Sequence, residues 1–230
     1  MKSKRLLFLI LVITAGILAN SCSPEYIPNM INSPMLSNQG EIQATIAAGT
    51  SNLDLQTAYA ITDNIAVMVN GSYADRTSDS TENFHKHLMI EGGIGYYRQI
   101  SEVGRIEVFG GYGGGAVNGY YENDLVSANS DATFQRFFLQ PGIGMSSGIF
   151  DGSFATRLSL VSMNPDLENF VPGLDPFLEP VVTAKLGWRY AKFVLQGGLS
   201  IPLAEENLTY DYQPFIINFG LNINIGRIYD

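Results

Sequence analysis

The sequence predicts an all-β fold: a single antiparallel up-and-down transmembrane β-barrel of about ten strands, with eight as the alternative. Three observations predict it. From Gly40 onward apolar residues recur at every second position, the period of a strand. The alternating segments mostly reach the roughly 9–11 residues that a tilted membrane-crossing strand needs, where ordinary globular strands average about 5–6. After the first hairpin the connections alternate between tight and long, the pattern of a barrel with tight periplasmic turns and longer outer loops.

The chain opens with Met1-Lys2-Ser3-Lys4-Arg5, which carries three positive charges. Leu6 to Leu18 then run apolar apart from Thr14 and Gly16, and Ala19-Asn20-Ser21 lead to Cys22. That run is long enough for the core of an export signal and too short for a spanning helix. The arrangement resembles a bacterial lipoprotein signal. The resemblance implies cleavage before Cys22, diacylglycerol on its sulfur and an acyl chain on its amine. Cys22 is the only cysteine, so it has no disulfide partner within the chain. Several acyl chains at one point anchor a protein stably where one would be marginal. A covalent lipid on Cys22 is expected, and no cofactor besides it.

The domain division follows: a signal peptide over 1–21, the lipidated cysteine and a flexible linker over 22–39, and a barrel over 40–230. The linker reading rests on three prolines among scattered polar residues. Tyr26, Ile27, Met30, Ile31, Met35 and Leu36 suggest that this stretch also packs against something.

Ten strand segments are expected near 41–48, 53–61, 65–74, 86–98, 105–118, 132–147, 152–163, 176–189, 193–202 and 213–226. The clearest is the last, with Phe215, Ile217, Phe219, Leu221, Ile223 and Ile225 on one face and Asn218, Gly220, Asn222 and Asn224 on the other. Leu88, Ile90, Ile94 and Tyr96 stand likewise opposite His87, Glu91, Gly93 and Gly95. An even strand count with these turns places both termini on the periplasmic side of an outer membrane.

Composition agrees. Charged residues are 15% of the chain, aromatic residues 11%, and there are 24 glycines. Three of the 13 basic residues precede Cys22, leaving ten against 22 acidic ones, a net charge of −12, which argues against nucleic acid as a partner. The alternating strands, the Gly-aromatic runs at 92–97 and 109–115 and the Asn-rich last strand resemble small outer-membrane β-barrel proteins, especially the lipid-anchored forms of Bacteroidetes-type envelopes. The resemblance implies a Gram-negative outer membrane. It also implies membrane lipid, the barrel-assembly machinery and the lipoprotein-export machinery as partners, and leaves the surface partner unassigned.

Residues 110–115 are Gly-rich, but no helix start and no Gly-Lys-Ser/Thr triplet follow, so a phosphate loop is not expected. His85 and His87 would face one way on a strand and are weak metal-ligand candidates, without a third histidine or a nearby cysteine. No nucleophile, base and orienting group can be assembled from the sequence, so an enzyme is not expected. Alternation assigns Glu41, Glu91, Glu107, Glu179, Arg136, Arg157, Lys185 and Arg189 to the lumen. Charges inside a narrow barrel are costly unless paired, so an ion-pair network is expected there. The leading expectation is a non-enzymatic barrel with a structural or surface-interaction role. The alternatives are a lipid-tethered, lipocalin-like barrel holding an apolar ligand and a narrow passive channel.

Overall fold

The computed structural model describes residues 24–78, 83–122, 127–166, 172–204, 206 and 208–228. The expected export signal, Cys22 and the last two residues lie outside the described residues. The strands are β1 (Ile42–Gly49), β2 (Asn52–Ala60), β3 (Ile65–Thr77), β4 (Phe84–Gln99), β5 (Gly104–Glu122), β6 (Ser127–Ser146), β7 (Phe150–Pro165), β8 (Asp175–Gly187), β9 (Ala191–Leu199), β10 (Ile201–Pro202) and β11 (Phe215–Ile225). Each pairs antiparallel with its neighbours. β9 and β10 form one stave: both pair with β8 in a single register, interrupted at Leu199 and Ser200. β11 pairs with both β9 and β1, which closes a ring of ten staves.

Alternation sets the two faces. Outward residues such as Ile90, Ile94, Phe137, Leu186 and Phe219 are exposed, Ile90 at 65%. Their neighbours in sequence, among them Glu91, Arg136, Lys185 and Asn218, are buried inside. The barrel is thus inverted relative to a soluble domain, with apolar side chains outside and polar ones within. Of the aromatic residues that lie toward strand ends, Tyr73, Tyr96, Tyr112, Trp188, Tyr190 and Phe193 are exposed on the outside, while Phe177 is fully buried in the lumen.

The two rims differ. The tight connections 61–64, 100–103, 147–149 and 188–190 lie at one end, together with the end of β11. The longer connections, 78–83, 166–174 and 203–214, lie at the other, where the β1–β2 and β5–β6 connections are short. The wall on the loop side is lopsided. β4, β5, β6 and β7 have 16, 19, 20 and 16 residues, whereas β1, β2 and β9 have 8, 9 and 9. β5 and β6 run further than their apolar alternation indicates. Asn118, Gly119, Ser130 and Asp131, polar enough to suggest a loop, stay in register between them. A hairpin that rises clear of the apolar band no longer needs an apolar outer face, so its composition stops reporting its strands.

Residues 24–39 depart from the linker expectation. They fill the lumen as an extended plug that runs from the loop rim to the turn rim. Tyr26, Met30, Ile31, Met35 and Leu36 are buried, as are Asn29, Asn32 and Ser33. At the loop rim the N–H groups of Glu25 and Tyr26 donate to the Asp211 carbonyl, and Gln213 N–H donates to the Tyr26 carbonyl. At the turn rim Gln39 N–H donates to Asp63 and Gly40 N–H to the Ala60 carbonyl. Gly40, with φ of +82°, then reverses the chain into β1. A polar, Pro-rich stretch reads as solvated because most interiors are apolar. Here the interior is polar, and each proline lacks the N–H that a buried backbone would otherwise have to satisfy.

Candidate functional site

The lumen is the chemically richest region, and two charge clusters organise it around the plug. The first lies at mid-height. Glu91 on β4 faces Arg136 on β6, and both groups are buried within one hydrogen bond of each other. Arg157 on β7 reaches Glu91 at 3.5 Å and Glu179 on β8 at 2.6 Å. Glu179 also accepts from Ser159 and from the Tyr26 hydroxyl, which in turn accepts from Arg136. Asn29 of the plug joins three charges. Its amide donates to Glu91 at 3.0 Å, and its carbonyl oxygen accepts from Arg136 at 2.7 Å and Arg157 at 2.9 Å. Two carboxylates and two guanidinium groups, neutral as a set, are held by donors and acceptors on almost every side. That is the condition under which buried charges are tolerated.

Glycine makes the room. Gly111 and Gly113 of β5 face inward, and a Cβ there would collide with Phe138 and Glu91, respectively. The Gly-rich run therefore leaves space for neighbouring side chains.

The second cluster lies near the turn rim. Glu41 pairs with Arg227 at 2.7 Å, Arg227 reaches Asp151 at 3.4 Å, and Lys192 pairs with Asp151 at 2.7 Å. Arg227 also donates to the carbonyls of Pro34 and Met35. Lys185 donates to the Ser33 carbonyl and to Gln43, and Glu107 accepts the Met35 N–H. Among the described residues neither Lys185 nor Glu107 forms an ion pair.

Of the eight residues that alternation assigns to the lumen, seven are buried there: Glu41, Glu91, Glu107, Glu179, Arg136, Arg157 and Lys185. Arg189 is the correction. β8 ends at Gly187, so the alternation stops before it, and Arg189 lies exposed in the 188–190 turn beside Gly148. The sequence reading also misses Arg105, Asp151, Lys192 and Arg227, all buried. The signal for Asp151 and Lys192 was present, since each continues the inward parity of its strand one residue beyond the expected segment. Arg227 follows β11 and carries no parity signal.

His85 and His87 lie together on β4. His85 Nε2 and His87 Nδ1 are 3.0 Å apart, and His87 Nε2 is 3.0 Å from the Ser72 hydroxyl, which bonds the Ser51 carbonyl. The row is satisfied when each group donates to the next and the Ser72 proton points to Ser51. In that arrangement His87 is a donor to Ser72 and does not act as its base. Ser72 and His87 are also buried. Among the described residues no group of three or more His, Cys, Asp or Glu side chains is placed to hold a metal ion.

The loop rim above the plug is apolar. Tyr26 packs at a tilt against Phe177, with ring centres 4.7 Å apart, and edge-on to Phe134 at 6.1 Å, with Leu208, Tyr210 and Tyr212 packed around them. Outside the strands, burial and then the neighbouring Asp211 push the Glu25 carboxyl above its usual range.

No family model matches the chain, and no curated protein matches it.

Proposed function

We propose that the protein is a non-enzymatic, lipid-anchored barrel of a Gram-negative outer membrane. Its wall sits in lipid, its lumen is shut by its own N-terminal segment, and its role is structural or is exercised through its outer loops. The observation that carries this reading is the direction of the apolar face. Exposed large apolar side chains line the outer face around the ring, from Ile46 on β1 and Leu55 on β2 through Phe154 on β7 to Phe219 on β11. Soluble monomers rarely expose apolar patches beyond a few hundred Å², and a continuous belt far exceeds that. A lipocalin-like ligand barrel needs the opposite arrangement, with its apolar face toward the cavity. A passive channel needs open space where the plug lies.

In this reading the Cys22 lipid adds to an attachment that the wall already provides. The barrel-assembly and lipoprotein-export machineries are the partners that deliver the protein. The test is fractionation of the Cys22→Ser chain. It should remain with membranes through high salt and carbonate, and release by either would show that the wall is not embedded. In planar bilayers the purified protein should give no steady large conductance.

A further inference from the structure

We propose that the chain preceding Pro24 leaves the barrel at its long-loop mouth, so that the N-terminal end faces the cell exterior and the C-terminal end faces the periplasm. The inference rests on the outer-membrane reading above. An even-stranded barrel normally keeps both chain ends at the turn rim, and β1 and β11 do begin and end there. The plug changes the outcome because it retraces the full height of the barrel before β1 starts.

The direction of the plug is fixed along its whole length. Tyr26 pairs in parallel with Tyr212, in the connection between β10 and β11 on the loop side. Further down, Asn29 meets Glu91, Arg136 and Arg157 at mid-height. The backbone of Ile31 exchanges two hydrogen bonds with Gln196, and Asn32 donates to Asn70. Ser33 and Met35 engage Lys185 and Glu107, and Gln39 meets Ile61 and Asp63 in a turn at the opposite rim. Each rung uses a different stave, so the segment cannot be turned over without losing all of them.

The exit lies beside the connection between β10 and β11, where the Glu25 and Tyr26 N–H groups donate to the Asp211 carbonyl, and Tyr26 packs into the cluster that β4 to β8 form beneath the mouth. Cys22 is two residues before Pro24, a reach of about 7 Å at roughly 3.3–3.6 Å per residue. The acyl chains expected on Cys22 therefore lie at the outer-leaflet rim of the barrel. An anchor in the inner leaflet would lie at the opposite rim, beyond that reach.

The test is labelling with a membrane-impermeant maleimide on cells expressing the full chain with one added cysteine. Asp166→Cys at the loop rim and Glu102→Cys at the turn rim report the orientation of the barrel, and Glu25→Cys and Gln39→Cys report the two ends of the plug. All four positions are exposed or half-buried at a rim. The expected result is labelling of Asp166→Cys and Glu25→Cys in intact cells, and of Glu102→Cys and Gln39→Cys only after permeabilisation. If Asp166→Cys labels in intact cells and Glu25→Cys does not, the exit is periplasmic, and this proposal falls while the membrane reading stands. If all four label alike, the membrane reading falls with it. Should Glu25→Cys disturb the fold, a protease site inserted between Ser23 and Pro24 gives the same readout: cleavage in intact cells is expected, and protection overturns the proposal.

Discussion

The mid-height cluster of Glu91, Arg136, Arg157 and Glu179 and the lower cluster of Glu41, Asp151, Lys192 and Arg227 use the same residue types, yet they hold the plug differently. The upper cluster grips mainly side chains, the Tyr26 hydroxyl and the Asn29 amide, with one longer bond from Arg157 to the Asn29 carbonyl. The lower one, with Lys185 beside it, grips backbone carbonyls of Ser33, Pro34 and Met35. Recognition by side chain depends on sequence, and recognition by backbone depends on shape alone. The surroundings differ as well. The upper set is an even two against two. The lower set is also two against two, with a further cation, Lys185, and a further acid, Glu107, beside it.

The largest predicted effect follows from that difference. Arg157→Ala leaves Glu91 and Glu179 with one guanidinium between them in a buried site, a loss of about 3–5 kcal/mol. Arg227→Ala leaves Glu41 and Asp151 with Lys192 and Lys185 nearby, and should cost roughly half as much. Urea unfolding of the two variants in detergent compares them, and equal losses would erase the distinction between the clusters.

The next effect separates the two grips within the plug. Asn29→Ala strands donors and acceptors on three charged groups and should cost about 1–3 kcal/mol. Ser33→Ala keeps the carbonyl that Lys185 uses and removes a buried hydroxyl that has no partner. It should therefore be neutral or stabilising by up to about 1 kcal/mol. A Ser33→Ala loss as large as that of Asn29→Ala would mean that the lower grip also reads side chains.

The smallest effect is at the loop rim. The Glu25 carboxyl titrates above its ordinary range, so its ionised form is disfavoured in the folded protein. The plug end should tighten as pH falls through that raised value, and the gain should level off once the unfolded chain is protonated too. Glu25→Gln should remove this dependence and stabilise by no more than about 0.5 kcal/mol, because water screens a half-buried group. Hydrogen exchange at the Glu25 and Tyr26 amides, followed from pH 7 to pH 4, measures it.

The ring of staves and the parity of Glu91, Arg136, Arg157 and Glu179 were legible because alternation reports a wall with an apolar outer face and a polar inner one. Legibility ended where that contrast ended. Arg189 sits past the last paired residue of β8, Arg227 past β11, and the tops of β5 and β6 stand clear of the apolar belt. The plug was hidden for a different reason. Its five buried apolar residues hinted at packing, but an extended segment without regular pairing has no period, and its partners lie as far as 193 residues away. Only the assembled wall shows that a polar, Pro-rich strip matches a polar bore.

The position of that strip in the chain constrains the order of assembly. The plug precedes β1, and the seam that completes the ring joins Ile42 to Ile225, nearly the whole chain apart. The first segment made is thus the one enclosed, and the last strand made is the one that shuts the seam over it. A nascent wall lacking β11 is an open gutter in which the strip can be laid sideways, bond by bond. Once the seam has formed, the same strip, tethered to β1 at the turn rim, could enter only by threading end-on up the closed bore. Folding therefore has a required sequence, with the strip laid in first and the seam closed last, and a chain that closes early would be trapped as an empty ring.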